Sequence, residues 1–187
     1  MENQISDEEL RRLVIIAKKL EDEYGPKNSN DPWVGSPFAW IRTRPSRQVG
    51  KIGEELVACW CKQIGLEVRK PKEKKAEADL VIEGRRVEVK FSTLWEANVY
   101  KFQQLRDQEY DYVICLGVSP FDAHCWIIPK NKALRKATGQ HTGSQAQETR
   151  WLSIDPKSPP KWLKTYGGTL IEAKKILQNW RAHAAGE

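Results

Sequence analysis

The stretch 79-DLVIEGRRVEVK-90 is typical of a short β-hairpin, with two apolar runs on either side of a turn. Residues 80–82 and 87–89 contain the β-branched side chains that strands prefer. Between them, Glu83-Gly84 suits a two-residue turn, because glycine accepts the positive φ that such turns need. The stretch also carries three charged residues at or beside these runs: Asp79, Glu88 and Lys90. Whether the three charges meet depends on the register of the two strands.

The position of the turn sets that register. A turn at Glu83-Gly84 places Asp79 opposite Glu88, and directly opposed residues lie on the same face of a ladder. A turn at Gly84-Arg85 would instead place Asp79 opposite Lys90, which shares the face of Glu88 because side chains alternate along a strand. A three-residue loop would break this parity unless a bulge restored it.

An acid pair with a neighbouring lysine has a recognisable chemistry. Two carboxylates at close range repel each other, which lowers stability. A divalent cation between them reverses that effect, and Mg²⁺ prefers one or two carboxylates together with water and phosphate oxygens. The lysine would offset negative charge that develops during phosphodiester hydrolysis. The pattern D-x8-E-x-K therefore indicates metal-assisted hydrolysis. On the alternative interpretation, these residues are solvated charges on an exposed strand face.

The helix predicted over 46–64 contributes another unusual acid. At about 100° per residue, Glu54 falls on a face of small or apolar residues, namely Gly50, Gly53, Val57, Ala58, Cys61 and Ile64. A carboxylate in such surroundings needs a partner or a metal. The alternative to a metal is a buried ion pair with an arginine of segment 42–47. Glu55, by contrast, lies in a polar stripe that suits a solvated helix face.

The succession of these motifs resembles the PD-(D/E)XK nuclease superfamily. The resemblance covers residues 50–128 and rests on G-x-x-G-E in a helix, a glycine eleven residues after that Glu, and D-x8-E-x-K on a hairpin. It implies an α/β (α+β) fold with a restriction-endonuclease-like αβββαβ core, in which helices flank a central mixed β-sheet. One departure is Ala78, which stands where the family has a proline that is not a metal ligand.

The same resemblance implies roles for five residues. Glu54, Asp79 and Glu88 would bind Mg²⁺, for which Mn²⁺ could substitute, and the main-chain carbonyl of Val89 would reach the same metal. Lys90 would assist the attacking water. The catalytic residues are therefore expected to be Glu54, Asp79, Glu88 and Lys90.

Further residues are candidates for DNA contacts, because basic side chains bind phosphates and polar side chains read base edges. They come from the segment before the second helix, the lysine-rich loop before the hairpin, the residues after it, and the polar loop 139–150. In chain order they are Arg42, Arg44, Arg47, Lys72, Lys74, Lys75, Ser92, Thr93, Gln103, Gln104, His141, Gln145, Gln147 and Arg150. The alternative for each group is an ordinary solvated surface.

Composition is consistent with a nucleic-acid partner but does not require one. The 187 residues include 31 Lys and Arg against 25 Asp and Glu, giving a formal charge of +6. A basic surplus favours phosphate-rich partners, although many basic proteins bind no nucleic acid. No apolar run approaches the roughly 20 residues that span a bilayer. The acidic, polar start of the chain is unlike a signal peptide. With four cysteines that suit buried free thiols, these features predict a cytoplasmic protein without disulfides.

We expect one domain over 1–187, organised in three parts. An N-terminal helix and an Arg- and Trp-rich connection occupy 1–45, the nuclease core occupies 46–129, and a C-terminal extension with a polar loop and a helix occupies 130–187. Residues 97–108 are predicted to form a helix after the hairpin. Residues 110–118 and 123–129 are predicted to form two further strands.

The favoured function is a Mg²⁺-dependent type II restriction endonuclease that cuts double-stranded DNA as a homodimer, with a cognate DNA methyltransferase encoded nearby. A symmetric dimer would supply the two active sites that a double-strand cut needs. One alternative is a structure-selective nuclease, such as a Holliday-junction resolvase or a nicking repair enzyme. Another is a non-catalytic DNA-binding subunit of the same fold. A last one is a basic protein unrelated to nucleic acids.

Overall fold

The computed structural model describes residues 7–24, 33–72, 77–95, 97–139 and 149–184. Its helices are α1 (Glu8–Tyr24), α2 (Ser46–Gln63), α3 (Lys130–Lys136) and α4 (Leu170–Ala184), with 3-10 helices at Ala39–Thr43 and Lys161–Tyr166. Its strands are β1 (Val68–Arg69), β2 (Leu80–Ile82), β3 (Arg85–Thr93), β4 (Tyr100–Leu105), β5 (Tyr112–Val118), β6 (Ala123–Pro129), β7 (Thr138–Gly139), β8 (Arg150–Ile154) and β9 (Gly167–Thr169). In the part of the chain so described, no helix is long and apolar enough to cross a membrane.

Two sheets organise these strands. The larger has the order β1-β2-β3-β5-β6-β9, in which β3 and β5 are parallel and the other neighbours are antiparallel. The smaller is antiparallel, with the order β4-β8-β7. The predicted fold class, a central mixed sheet flanked by helices, is confirmed.

The larger sheet lies between two hydrophobic cores. Helices α1, α2 and α4 bury their apolar sides against one face, where Val87 and Val89 of β3 contribute. The small sheet and α3 pack against the opposite face, where Val113 and Cys115 of β5 contribute. Because side chains alternate along β3, Glu88 and Lys90 belong to the side of the small sheet.

The hairpin at the start of the larger sheet has the register expected from its turn. Ile82 pairs with Arg85, and both turn residues have positive φ, 47° at Glu83 and 77° at Gly84. This is the left-handed geometry of a tight two-residue hairpin turn. The main-chain N–H of Asp79 donates to the carbonyl of Val87 at 3.0 Å. The ladder itself ends at the pair of Leu80 with Val87, and continuing its register places Asp79 beside Glu88, as expected for this turn.

The predicted helix over 97–108 is wrong, because this segment forms strand β4. Tyr100 and Phe102 alternate into the core as a strand requires, but a β-bulge follows and Gln104 has a φ of 57°. The bulge makes the next buried residue Leu105, three positions after Phe102, and that interval imitates a helical period. In the αβββαβ scheme a helix would join the parallel strands; here β4 of the second sheet lies in that connection.

Close packing of α2 on β3 requires a glycine at one position. A methyl group on Gly53 would lie 2.3 Å from Cβ of Phe91, whereas a methyl group on Gly50 would meet nothing within 4 Å. Of the two glycines in G-x-x-G-E, Gly53 therefore permits the approach that brings the adjacent Glu54 towards β3.

Substitution of these glycines should separate packing from helix propensity. Gly53→Ala is expected to lower the free energy of unfolding by about 1–3 kcal/mol, because overpacking must displace α2 or Phe91. Gly50→Ala is the matched control and should be neutral or stabilising by about 0.5–1 kcal/mol, since alanine is the better helix former. Urea unfolding measures both. Equal stability of the two variants would contradict the packing argument.

Candidate active site

One open cleft of about 480 Å³ collects the predicted catalytic residues. Glu54 reaches it from α2, Asp79 from the residue before β2, and Glu88 and Lys90 from β3. Val89 also lines the cleft. The helix and the hairpin thus bring three acids and an amine to one cleft, with Glu54 coming from the more distant part of the sequence.

Asp79 is fixed by the strand edge that it extends. Its Oδ2 accepts the main-chain N–H of Val89 at 2.8 Å. Because β2 begins at Leu80, the Asp79 carboxylate takes over the acceptor role that a strand carbonyl would otherwise have. The ladder therefore orients this carboxylate.

Glu88 and Lys90 form a buried ion pair. Glu88 is 6% exposed, and its Oε1 lies 2.6 Å from Nζ of Lys90. Burial raises the pKa of Glu88 to about 7; Lys90 opposes this rise and the Asp79 carboxylate adds to it. The close pair i and i+2 on one strand is what the alternation of β3 predicts. A carboxylate so desolvated binds a proton or a cation readily.

Glu54 is half-buried at the wall of the cleft. Burial is the main cause that raises its pKa, and the Asp79 carboxylate raises it further. No ion pair joins it to an arginine of 42–47 among the described residues, although Arg44 lines the same cleft. Glu55 is bound to Lys70 at 3.4 Å on the solvated side of the helix, as its place in the polar stripe predicted.

The carboxylates are not already arranged around a metal. Across the described ranges, no three acidic, histidine or cysteine side chains are spaced to enclose a cation as they stand. Two of the acids instead have protein partners, Lys90 for Glu88 and the Val89 amide for Asp79. The ammonium of Lys90 thus supplies the positive charge that the buried acid needs.

The candidate DNA contacts fall into three groups. Those that line the cleft are Arg44, Ser92, Thr93, Gln103 and Gln104. Four others lie elsewhere. The guanidinium carbon of Arg42 lies 4.6 Å from the ring centroid of Trp33, and Arg47 is exposed on the first turn of α2. Lys72 lines a separate cavity, and Arg150 donates to the Leu134 carbonyl at 2.9 Å. Those outside the described residues are Lys74, Lys75, His141, Gln145 and Gln147.

Two of these residues have structural surroundings that the sequence did not predict. The Ser92 hydroxyl donates to the Thr93 carbonyl at 2.8 Å and accepts the main-chain N–H of Lys101 at 3.0 Å. It therefore joins β3 to β4. Gln104 takes its orientation from the bulge in β4. Contacts of either residue with DNA stay a prediction.

The cleft also contains residues that sequence reasoning missed. They are Lys101 of β4 and Trp95 from the preceding turn, which line it beside the predicted Gln103. The signal was the alternation of polar Lys101 and Gln103 with apolar Tyr100 and Phe102, which is typical of a half-buried strand. Assigning this segment to a helix concealed that pattern.

Comparisons with known proteins agree with the fold. No protein-family model and no curated protein matches the sequence. Among solved structures, the chain is similar to the bacterial homing endonuclease I-Ssp6803I, at 17% sequence identity and a TM-score of 0.51. The match covers 76% of this chain and 100% of that protein's chain. At this identity the likeness shows a common α/β fold, with a mixed sheet flanked by helices.

Proposed function

We propose that this protein is a divalent-metal-dependent DNA endonuclease of the PD-(D/E)XK type. The observation that carries the proposal is the meeting of Glu54, Asp79, Glu88 and Lys90 in one cleft, from the elements on which the superfamily pattern places them. The solved structure with a similar fold is itself described as a homing endonuclease. The basic surplus of the chain further supports a phosphate-rich substrate.

The donor set of the cleft fits a hard cation. Three carboxylates gather where burial and mutual repulsion raise the pKa of Glu88 and of Glu54. Mg²⁺, or Mn²⁺ in its place, would be held by Asp79 and Glu88, with Glu54 and the Val89 carbonyl as further oxygen donors. Bound there, the ion would act as a Lewis acid on the phosphodiester and its attacking water.

The protein's own residues have distinct tasks in this proposal. Glu88 would exchange the Lys90 ammonium for the cation, which frees Lys90 to orient the attacking water and to offset charge on the phosphate. Asp79 keeps its position through the Val89 amide. Water attacks phosphorus and gives up a proton, the bond from phosphorus to the 3′ oxygen breaks, and the 3′ oxygen takes up a proton. The products are a 5′-phosphate and a 3′-hydroxyl.

The favoured form of this function is a type II restriction endonuclease. A sequence-specific double-strand cut needs two active sites, which a homodimer would supply, and a cognate DNA methyltransferase would protect the host's own sites. The polar loop 139–150, rich in side chains that read base edges, supports sequence recognition. For a restriction endonuclease we expect a cytoplasmic location.

A structure-selective nuclease is the second candidate, because the G-x-x-G-E helix suits resolvase-type enzymes equally. It would prefer four-way junctions or nicked substrates to linear duplex. A non-catalytic DNA-binding subunit is the third, and the intact set of three acids and a lysine speaks against it.

Incubation of plasmid with the protein and Mg²⁺ separates these candidates. Discrete, reproducible fragments would support a restriction endonuclease, and selective cutting of four-way junctions would support a resolvase. Binding without cutting in both Mg²⁺ and Mn²⁺ would support the non-catalytic subunit. The absence of both binding and cutting would overturn the proposal.

A further inference from the structure

Among the described residues, Lys101 is a cation in the cleft whose charge no acid neutralises. It lines the same cavity as Glu54, Asp79 and Glu88. Yet across that part of the chain no carboxylate lies within 4.0 Å of its ammonium. Contacts of another kind hold its side chain.

Two indole rings hold the Lys101 side chain. Its Nζ lies 4.1 Å from the ring centroid of Trp95 and 5.6 Å from that of Trp151. At these distances the ring faces attract the ammonium by cation–π interaction. The main chain is anchored as well, since the N–H of Lys101 donates to Ser92 Oγ. Trp95 is nevertheless 45% exposed at the cleft.

This arrangement fixes the ammonium before any ligand arrives. A free lysine loses side-chain entropy when it is immobilised, and contacts already made in the free protein lower that cost on binding. The rings also leave the hydrogen-bond donors of the ammonium without an anionic partner from the described residues. A pre-positioned cation of this kind, in a cleft open to solvent, suits an anionic oxygen of a ligand.

We propose that Lys101, held by Trp95 and Trp151, binds a backbone phosphate of the DNA next to the one that is cut. Arg44, which precedes α2 and lines the same cleft, would contribute a second positive charge from another element. Lys101 and Arg44 would then position the DNA backbone across the carboxylates of the cleft. This inference rests on the proposed function in taking DNA as the substrate.

Salt dependence of DNA binding tests the assignment without requiring cleavage. The measurement is fluorescence anisotropy of a labelled duplex of about 30 base pairs in EDTA, from about 50 to 200 mM salt. Lys101→Met, which keeps the apolar stem, should bind roughly tenfold more weakly and reduce the slope of log K against log salt by about 0.9, the value for one phosphate contact. Lys101→Arg should restore the slope, because arginine also stacks on indoles and binds phosphate.

Two further variants distinguish a phosphate contact from a general loss of charge. Lys132 lies 5.9 Å from the ring of Trp162, outside the cleft, and Lys132→Met removes the same charge and the same type of contact. It should leave the slope unchanged. Trp95→Leu should weaken binding several-fold with an unchanged slope, because the charge remains but is no longer held. Thermal unfolding confirms that each variant is folded.

The outcomes separate this inference from the nuclease proposal. A Lys101→Met protein that binds DNA with the wild-type slope would overturn the inference and leave the nuclease proposal standing. An equal loss of slope in Lys132→Met would also overturn it, because the effect would then be that of net charge. A wild-type protein without salt-dependent DNA binding would overturn both.

Discussion

Asp79→Asn is expected to lower the rate of DNA cleavage by about a thousandfold or more while the protein stays folded. The loss follows because an amide oxygen is a much poorer ligand for Mg²⁺ than a carboxylate, and each 1.36 kcal/mol of lost transition-state stabilisation costs about a factor of ten in rate. The fold should persist because the amide oxygen of the substituted side chain can still accept the N–H of Val89 that Asp79 accepts now. Single-turnover cleavage with enzyme in excess measures the chemical step.

Asp111 offers a matched control for this experiment. Its Oδ2 accepts the main-chain N–H of Arg86 at 2.8 Å, so it makes the same kind of bond to the same strand, but it lies outside the cleft. Asp111→Asn should cleave within about threefold of the wild-type rate, because it removes no group from the reaction. Full activity of Asp79→Asn would contradict the assignment of this acid to the active site.

Glu88→Gln is expected to stabilise the metal-free protein at alkaline pH. The folded-state pKa of Glu88 is about 7, above the ordinary value of 4.5, so the folded protein holds this proton more tightly than the unfolded chain does. The tighter proton binding of Glu88 adds to the free energy of unfolding. This contribution is fully present below pH 4.5 and is lost as pH rises through 7. A difference of that size in pKa corresponds to about 3 kcal/mol. Glutamine removes the charge that has to be buried.

Urea unfolding in EDTA at about pH 5 and pH 8 tests this prediction. The stability of Glu88→Gln relative to wild type should rise by about 2–3 kcal/mol between the two pH values. Glu109→Gln is the control, because Glu109 pairs with Arg86 at an exposed site and should show little change with pH. A constant difference between Glu88→Gln and wild type would show that Glu88 is not a desolvated carboxylate.

Addition of Mg²⁺ at about pH 8 should reverse the order of stability. A cation that binds the folded state alone stabilises it by mass action, by about 2.7 kcal/mol at a hundred times the dissociation constant. Wild type should gain this stabilisation and Glu88→Gln should not, because it lacks the acidic ligand. Glu88→Gln, the more stable protein without metal, is therefore also expected to be inactive. Such a trade-off between stability and activity is typical of functional sites.

The hairpin and its acid pair could be predicted from the sequence because local rules determine them. The two-residue turn at Glu83-Gly84 fixes the register, and alternation then places Asp79, Glu88 and Lys90 on one face. Glu54 could be placed by the helical period alone. Its approach to β3 depends in addition on the absence of a side chain at Gly53, which the motif G-x-x-G-E indicated without giving the reason.

The remaining features depend on tertiary structure. The bulge in β4 gives Phe102 and Leu105 a helix-like interval, and pairing with β8 overrides that local signal. Lys101 was missed because its partners, Trp95 and Trp151, come together only when the second sheet forms. No local pattern links Lys101 to Trp151, which lies far along the chain.

Anomalous scattering from crystals grown with Mn²⁺ tests the central claim most directly. Our account predicts a peak in the cleft within about 2.1–2.3 Å of carboxylate oxygens of both Asp79 and Glu88, the distances expected for a small octahedral cation. It also predicts that this peak is absent from Asp79→Asn crystals. A peak elsewhere on the protein, or none in the cleft of a preparation that cuts DNA, would contradict the account.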